Sequence, residues 1–362
     1  MRALTFALGV ALSLSVAWAA PPAVPGSPSF APVLPGYSLQ FPRDFGSHPA
    51  YRIEWWYVTG WLTASDQQTL GFQITFFRTR PDWNEANPSA FAPRELLIAH
   101  CALSDPARGR LWHDQRVRRA DSQLAYAAES DTRVRIDDWH LERAGDGYRA
   151  LAQAAQFALD LQLAPTQPPM LNGEGGFSRK GPALRSASYY YSEPHLRVSG
   201  RIVREGHSVA VTGEAWLDHE WSSDYLDPAA VGWDWIGLNL DDGGAVMAFR
   251  MRDAAGRPRW SAASVRASTG EVQSLRDAEV EFTPLRSWHS PHTGTDYPVS
   301  FRVRVGAREF TLTPLQEDQE NDARLSSGAV YWEGAVRAAE RQRSVGRGYL
   351  ELTGYERPLT LR

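Results

Sequence analysis

Residues 212–242, TGEAWLDHEWSSDYLDPAAVGWDWIGLNLDD, contain the pattern that decides the fold. Two strand-like runs, rich in tryptophan and in ionisable side chains, are separated by a break at Asp227-Pro228. Because successive side chains of a strand point to opposite faces, carboxylates and an imidazole must share faces with bulky aromatic rings. This mixture predicts a sheet that lines an aromatic pocket and keeps a few ionisable groups inside it.

The same β-type character extends outward over the rest of the chain. Aromatic and β-branched residues fill short runs between Gly, Pro, Asp and Asn, and no long amphipathic helix is visible. Such runs include residues 53–62, 69–78, 95–103, 245–252 and 330–338. Many short strands in 362 residues predict an all-β fold with two barrel or sandwich domains. We place the domains at residues 37–225 and 226–362.

The N-terminus predicts export. Arg2 is followed by an apolar run and by the A-x-A sequence of residues 17–19, which is typical of a signal peptide cleavage site. We therefore expect a signal peptide over residues 1–20, cleaved near Ala19/Ala20, and a proline-rich lead-in over residues 21–36. The apolar run is shorter than the ~20 residues of a membrane-spanning helix, so we expect a periplasmic or secreted protein and not an integral membrane protein.

Charge and cysteine content exclude some classes of function. The formal net charge of −4 gives no electrostatic basis for binding nucleic acid. Lys180 is the one lysine among 38 basic residues, a bias that a GC-rich genome explains more simply than an arginine-based function. Cys101 is the single cysteine, so an exported protein of this kind has no internal disulfide and its cores must suffice alone.

Ionisable groups among aromatic residues suggest a chemistry. A carboxylic acid in such a setting is costly unless it is paired, or its pKa moves toward neutrality. An acid that stays neutral near pH 7 is a proton donor, and aromatic faces stabilise a developing cation. This combination suits proton-initiated chemistry on an apolar alkene or isoprenoid. The candidate catalytic residues are Asp218, His219, Glu220 and Asp234.

A structural role for the same residues stays open. The three carboxylates could pair with arginines such as Arg78 or Arg250, the tryptophans could fill a core, and His219 could be a fully bonded structural histidine. Glu54 is more simply a buried ion-pair partner than an acid. The candidate substrate-binding residues carry the same ambiguity: Trp55, Tyr57, Gln73, His100, Tyr190, Trp221, Trp233 and Trp235.

Other chemistries find no support in the motifs. The sequence has neither H-E-x-x-H nor G-x-S-x-G, and residues 173–182 (GEGGFSRKGP) lack phosphate-loop spacing. His289 and His292 have no evident third partner for a metal. We expect no metal and no organic cofactor.

A set of motifs in register along nearly the whole chain resembles a known family. They are HPAYRIEWWYVTGWL (residues 48–62), LGFQITFFR (70–78), IAHCALSD (98–105), SASYYYSEPHLRVSG (186–200), VTGEAWLDHEW (211–221), GWDWIGLNLDDG (232–243), VYWEGAV (330–336) and GRGYLELTGYE (346–356). The chain resembles the AttH-like family, which includes bacterial carotenoid 1,2-hydratases.

The resemblance implies two lipocalin-like β domains packed side by side, with a pocket at or near their interface. Members include hydratases that add water across a terminal isoprenoid double bond without a metal or organic cofactor. In those hydratases a histidine and a tryptophan spaced as in His219-Glu220-Trp221 are implicated. Residues 245–252 lack the tyrosine-aspartate pair expected in a carotenoid hydratase, which argues against a carotenoid substrate.

Two hypotheses follow. The first is a cofactor-independent hydratase or lyase for an isoprenoid or lipid-like substrate, with Glu220 or Asp218 as the acid and His219 as its orienter or as the base that activates water. The second is a periplasmic lipocalin-type carrier of an apolar ligand. Some secreted relatives are encoded beside ABC transporter permeases, so such a permease is a possible partner. A hydrolase ranks last, because no nucleophile with a base is evident.

Overall fold

The structure, a computed structural model, describes residues 30–81, 88–89, 92–121 and 123–359. The predicted signal peptide and the lead-in up to residue 29 lie outside these residues. Within them the chain forms 23 strands in two antiparallel sheets and two short 3-10 helices, Arg43–Phe45 and Asp277–Glu279. The predicted all-β fold class, two barrel-like sheets side by side, is confirmed. No helix in these residues is long and apolar enough to span a membrane.

The strands are β1 (Ile53–Ala64), β2 (Thr69–Thr79), β3 (Leu96–Asp105), β4 (Arg110–Arg119), β5 (Ala125–Ala127), β6 (Arg133–Ile136), β7 (Trp139–Ala144), β8 (Gly147–Gln153), β9 (Phe157–Ala164), β10 (Met170–Leu171), β11 (Phe177–Arg179), β12 (Ala187–Arg204), β13 (His207–Ser222), β14 (Gly232–Leu240), β15 (Ala245–Arg252), β16 (Pro258–Arg266), β17 (Val272–Arg276), β18 (Val280–His289), β19 (Asp296–Val305), β20 (Arg308–Pro314), β21 (Glu320–Ala323), β22 (Ala329–Glu340) and β23 (Arg343–Leu352).

The first sheet runs in the order β4-β3-β2-β1-β13-β12-β9-β8-β7-β6-β5, with β10 and β11 paired to β12. It curls until β4 approaches the β6–β7 hairpin. Arg116 on β4 spans the gap, since its guanidinium donates to the backbone oxygens of Ile136 and Gln153 and pairs with Asp138. The sheet is therefore a nearly closed barrel, and its interior is an apolar core.

The second sheet runs in the order β17-β16-β15-β14-β23-β22-β20-β19-β18, with β21 paired to β22. Arg250 on β15 donates to the backbone oxygen of Phe282 on β18, which draws distant parts of this sheet together around a second core. The first sheet ends at Ser222 and the second begins at Gly232. The predicted domain boundary at residues 225/226 falls in this connector, and the independence of the two units stays a prediction.

The outer faces of the two sheets pack against each other through a third apolar cluster. Trp61 on β1 donates its indole N–H to the backbone oxygen of Gly348 on β23, at 2.9 Å. The close packing of the two sheets also requires a glycine at position 237 on β14. A Cβ there would lie 2.5 Å from the Trp235 ring and 3.0 Å from the Trp216 ring. We call the buried layer between the sheets the intersheet layer.

Strand β13 has a different neighbour on each face. Leu217, His219 and Trp221 point into the first barrel, where they belong to or contact its core. Asp218 and Glu220 point the other way, into the intersheet layer, where Asp218 and the Tyr190 hydroxyl are 2.7 Å apart. One strand therefore supplies side chains to two separate compartments.

Candidate functional site

The four predicted catalytic residues do not form one constellation. Asp218 and Glu220 lie in the intersheet layer, His219 lies inside the first barrel, and Asp234 lies inside the second sheet. All four are buried. Each environment has its own set of partners, so the chemistry of each must be considered separately.

Four carboxyl groups meet in the intersheet layer, and we call them the acid cluster: Asp218, Glu220, Glu333 and Glu351. Asp218 and Glu220 lie on β13, and Glu333 and Glu351 face each other across β22 and β23. Asp218, Glu220 and Glu333 are buried, and Glu351 is partly buried. The adjacent base is Lys180, whose Nζ lies 2.7 Å from Glu220 Oε1.

Asp218 is held by three donors. The Tyr190 hydroxyl, the Ser192 hydroxyl and the Trp216 indole N–H donate to its carboxylate at 2.7, 2.5 and 2.6 Å. These hydrogen bonds favour the ionised form, but burial outweighs them and raises the pKa of Asp218 to about 7. Asp218 is thus a carboxylic acid that holds its proton near neutral pH.

The other members of the acid cluster are shifted the same way. Burial raises the pKa of Glu220, although Lys180 and the Ser188 hydroxyl partly offset the effect. Burial also raises the pKa of Glu351 to about 7 while its carboxylate accepts the Trp233 indole N–H at 3.0 Å. The pKa of Glu333 lies well above its ordinary range, because burial and the nearby Glu351 charge both oppose ionisation.

The acid cluster contains buried polar atoms without partners. The Tyr57 hydroxyl lies beside Glu333, yet neither this hydroxyl nor Glu333 Oε1 has a hydrogen-bond partner among the described residues. Buried polar atoms in folded proteins are nearly always paired, so each such atom needs an explanation. A water molecule or a ligand hydroxyl between these two groups would satisfy both.

Aromatic rings enclose the acid cluster. Tyr225, on the connector between the sheets, packs edge-on against Trp55 and Trp233, with ring centroids 5.1 and 5.7 Å apart. Trp235 packs edge-on against Tyr57 at 5.3 Å and donates its indole N–H to the Tyr190 hydroxyl. The predicted aromatic binding residues in this layer are Trp55, Tyr57, Tyr190, Trp233 and Trp235.

Among the described residues, no hydrogen bond joins the remaining predicted binding residues to the acid cluster. Gln73 donates to the Thr75 hydroxyl at 2.5 Å. His100 fastens the two sheets, since its ring nitrogens lie 2.8 Å from the Tyr331 hydroxyl and 2.9 Å from the Ser326 hydroxyl. Burial lowers the pKa of His100 to about 3, so the ring is neutral. Trp221 packs inside the first barrel, separated from the acid cluster by its own strand.

His219 belongs to a buried ion network centred on Glu54. The Glu54 carboxylate accepts from His219 Nε2 and His48 Nδ1 at 2.8 Å each, and from Arg78 Nε at 2.9 Å. Burial opposes ionisation of Glu54, but Arg78 and the histidines outweigh it and hold the pKa of Glu54 well below its usual range. The second ring nitrogen of His219 lies 3.0 Å from the Tyr191 hydroxyl. Both nitrogens of this ring are occupied.

His48, Glu54 and His219 also have the donor types of a metal centre, with ligand atoms within 4.8 Å of one another. Their surroundings oppose one. Arg78 places a permanent positive charge 2.9 Å from Glu54, and burial leaves that charge little screened. The arrangement fits a structural ion network better than a cation site.

Asp234 occupies a similar scaffold position in the second sheet. Its carboxylate pairs with Arg250 and with Arg252, the latter at 3.0 Å, and accepts the Tyr355 hydroxyl at 2.9 Å. It points away from Trp233 and Trp235, which precede and follow it on β14. The sequence left open a pairing of Asp234 with arginine, and the structure shows that pairing. Asp234 has no contact with the acid cluster.

Comparison with known proteins identifies the family. The family model described as AttH-like matches residues 32–355. The chain belongs to the AttH-like family. Its structure is similar to that of an AttH-type protein from Nitrosomonas europaea, with 53% sequence identity, a TM-score of 0.86, and coverage of 90% of this chain and 100% of that one.

The AttH-like chain also shares its fold with kievitone hydratase from Nectria haematococca. The TM-score is 0.67 and the coverage is 91% of this chain and 97% of that chain. At 14% identity this likeness concerns the fold alone. No curated protein matches the sequence.

Sequence reasoning missed two members of the acid cluster, Glu333 and Glu351, and the adjacent Lys180. The two glutamates lie in β-type runs more than a hundred residues beyond β13, so no local pattern connects them with it. A usable signal existed in each run, since a lone glutamate interrupts VYWEGAV and GYLELTG. Lys180 carried a stronger signal, because it is the only lysine in the chain.

A cavity beside strand β11 borders the intersheet layer. It has a volume of about 290 Å³ and is lined in part by Phe177, Ser178, Met247 and Trp260. The Ser178 hydroxyl accepts from Lys180 at 3.1 Å, which connects the cavity wall to the acid cluster. Two larger clefts, of about 540 and 900 Å³, are lined by other residues. None of the three is lined by a member of the acid cluster, which is closed in this structure.

Proposed function

We propose that this AttH-like protein is a cofactor-independent hydratase or lyase that protonates a carbon–carbon double bond of an apolar, isoprenoid or lipid-like substrate. The acid cluster is the proposed site. The observation that carries the proposal is the grouping of three buried carboxyl groups and a partly buried fourth with a single lysine between aromatic walls. Because one ammonium cannot balance four carboxylates in a dry layer, at least some of them hold protons near pH 7.

The chemistry follows from that protonation. A neutral Asp218 or Glu220 gives its proton to one alkene carbon, which leaves a positive charge on the other carbon. The faces of tryptophan and tyrosine attract this charge through their quadrupoles, most strongly where water is excluded. Water then captures the cation through its oxygen, and its surplus proton returns to the acid cluster, so that the net change is the addition of water. The orphaned Tyr57 hydroxyl and Glu333 oxygen are suited to hold that water beside the acid cluster.

His219 takes a positioning role in this proposal. It lies on the face of β13 opposite Asp218 and Glu220, so it cannot contact a substrate bound at the acid cluster. Its bond to Glu54 and its stacking on Trp56, with centroids 4.7 Å apart, tie β13 to β1 from inside the barrel. The network thereby fixes the strand that presents the two acids.

The test uses prenylated phenols and terminal isoprenoid alkenes in H₂¹⁸O, with product mass as the readout. The wild type should add one labelled water, and Asp218→Asn and Glu220→Gln should each lose at least about 100-fold in turnover, within the range for a lost general acid. Asp146→Asn, an exposed change at the turn between β7 and β8, is the matched control. Unchanged turnover in both cluster variants, or no hydrated product from the wild type, would refute the proposal.

The carrier alternative is favoured by one observation, the apolar part of the 290 Å³ cavity wall formed by Phe177, Met247 and Trp260. Native mass spectrometry of gently purified protein separates the two functions. A co-purifying apolar ligand of unchanged mass, together with no labelled product, supports a carrier, for which an exported location and an ABC transporter permease partner are further proposals. Labelled product supports the hydratase.

A further inference from the structure

Lys180 is an exception within this chain. It is the one lysine among 38 basic residues, and its side chain is 1% exposed. Three other buried carboxylates are paired with arginine: Glu54 with Arg78, Asp105 with Arg204, and Asp234 with Arg250 and Arg252. The partner of Glu220 is instead a lysine.

Lysine and arginine differ in what they can do with a proton. A guanidinium remains charged at any physiological pH and forms two parallel bonds with a carboxylate, which makes it the better buried structural partner. A lysine amine loses its proton readily once it is desolvated. The choice of lysine at this one position therefore favours a group that titrates over one that only pairs.

The surroundings of the Lys180 amine fit such a group. Its Nζ lies 4.2 to 5.3 Å from the ring centroids of Phe249, Tyr190 and Tyr225, and 3.1 Å from the Ser178 hydroxyl. Burial lowers the pKa of Lys180, and Glu220 only partly offsets this effect.

Each strand or segment packed around the amine contributes ionisable groups. Glu220 and Asp218 face it from β13, Tyr190 from β12, Tyr225 from the connector, and Glu351 lies within the electrostatic reach of the two β13 acids. The carboxylates and the faces of the aromatic rings favour the ammonium, whereas the exclusion of water from the layer favours the neutral amine. A proton can thus reside on either side of the 2.7 Å contact between Lys180 and Glu220.

We propose that Lys180 and Glu220 form a self-resetting acid–base pair of the hydration site, with Glu220 as the acid and Lys180 as the base that receives the proton of water. This inference rests on the proposed function. The Glu220 carboxyl gives its proton to an alkene carbon, forming a C–H bond. Water bonds to the cationic carbon through oxygen, and its surplus proton passes to the Lys180 amine. The ammonium then returns a proton to the Glu220 carboxylate, so that the net change is the addition of water.

The cavity beside Ser178 provides the approach to this pair. Ser178 on β11 lines the cavity and accepts a hydrogen bond from Lys180, so this hydroxyl connects a ligand in the cavity with the pair. Strand β11 has three residues and pairs only with β12 among the described strands. The 290 Å³ volume suits a small prenyl group and not an extended carotenoid chain.

The single lysine makes a direct measurement possible. Protein labelled with [¹³Cε, ¹⁵Nζ]lysine has one labelled side chain, whose ¹³Cε shift reports the charge of the amine from pH 5 to 11. We expect a midpoint below the ~10.4 of a free lysine side chain, because burial lowers the pKa of Lys180. The exposed Arg343→Lys variant adds a reference signal that should titrate normally. A Lys180 midpoint at or above that of the reference overturns the proposal.

Turnover gives the second test. Lys180→Arg keeps a cation beside Glu220 but cannot accept a proton, so kcat should fall at least 100-fold, with KM changed less than threefold. The bell-shaped dependence of kcat on pH should lose the limb that reports the amine. Wild-type turnover in a folded Lys180→Arg protein overturns the role of Lys180 and leaves the proposed function standing. A wild type that hydrates no substrate refutes the proposed function. The NMR midpoint of Lys180 then shows by itself whether Lys180 and Glu220 share a proton.

Discussion

Replacing Asp218 with asparagine tests the protonation of the acid cluster without any substrate. Asparagine copies the neutral acid closely at this site. Its amide oxygen can accept from the Ser192 hydroxyl and the Trp216 indole N–H, as Oδ1 does now, and its amide N–H₂ can donate to the Tyr190 hydroxyl. The substitution therefore removes the capacity to ionise while it retains the shape and the bonds from Ser192 and Trp216, and it reverses the bond with Tyr190 as protonation of the acid does.

The magnitude follows from the raised pKa of Asp218. Its folded-state pKa is about 7 against an ordinary 3.8, so between these values the folded protein holds a proton that the unfolded chain releases. The stability that the neutral acid contributes is complete below pH 4 and is lost as the pH rises through 7. At roughly 1.4 kcal/mol per pH unit, the total loss is about 4 kcal/mol.

The assay is denaturation by guanidinium chloride at a series of pH values from 4 to 8.5. We expect Asp218→Asn to match the wild type within about 1 kcal/mol at pH 4 and to exceed it by up to about 4 kcal/mol at pH 8.5. Groups other than Asp218 titrate in both proteins, so the difference between the two curves isolates this carboxyl. The exposed Asp146→Asn change should leave the curve parallel to wild type. Parallel curves for Asp218→Asn would refute the argument that this acid is neutral at pH 7.

Three further changes test other parts of the structure. Asp234→Asn leaves Arg250 without its charge partner and should lower the free energy of unfolding by about 3–5 kcal/mol. The rate of substrate hydration per folded molecule should not change. A loss of turnover at full stability would contradict the scaffold role. Gly348→Ala puts a Cβ against the backbone oxygen of Gly237 and should cost about 1–3 kcal/mol by thermal or chemical denaturation, and a neutral effect would contradict this strand packing. Burial keeps the pKa of His100 at about 3, so the stability that this neutral ring contributes falls as the pH drops from 6.5 toward 3. His100→Leu should therefore flatten the dependence of the free energy of unfolding on pH in this range. An unchanged slope would show that the ring is not held neutral.

The sequence was sufficient for the fold because the strand pattern is local. The runs predicted at residues 53–62, 69–78 and 245–252 fall within β1, β2 and β15. The alternation along β13 also follows from the period of a strand, which places His219 and Asp218 on opposite faces. What the period cannot specify is the environment that each face meets, and here both faces are buried.

The composition of the site depends on contacts across the whole chain. Glu351 lies near Asp218 because the two sheets pack against each other, although the two residues are far apart in the sequence. A strand pattern does not predict which outer faces of two sheets will pack together. Asp234 and His219 were grouped with the acids because they are close along the chain. The connector of residues 223–231 between β13 and β14 separates them in space, since Asp234 lies with Arg250 and Arg252 in the second sheet.

The two-sided burial of β13 constrains its length more tightly than its composition. Inserting one residue ahead of Asp218 would exchange the two faces, delivering both acids to Arg78 and Glu54 and turning the imidazole toward the second sheet. Neither compartment tolerates the other's charges, so the barrel interior and the layer outside it are locked into a common register. Single side chains along β13 can therefore be substituted one at a time, but insertions or deletions in this strand must come in pairs of residues to keep each side chain on its face.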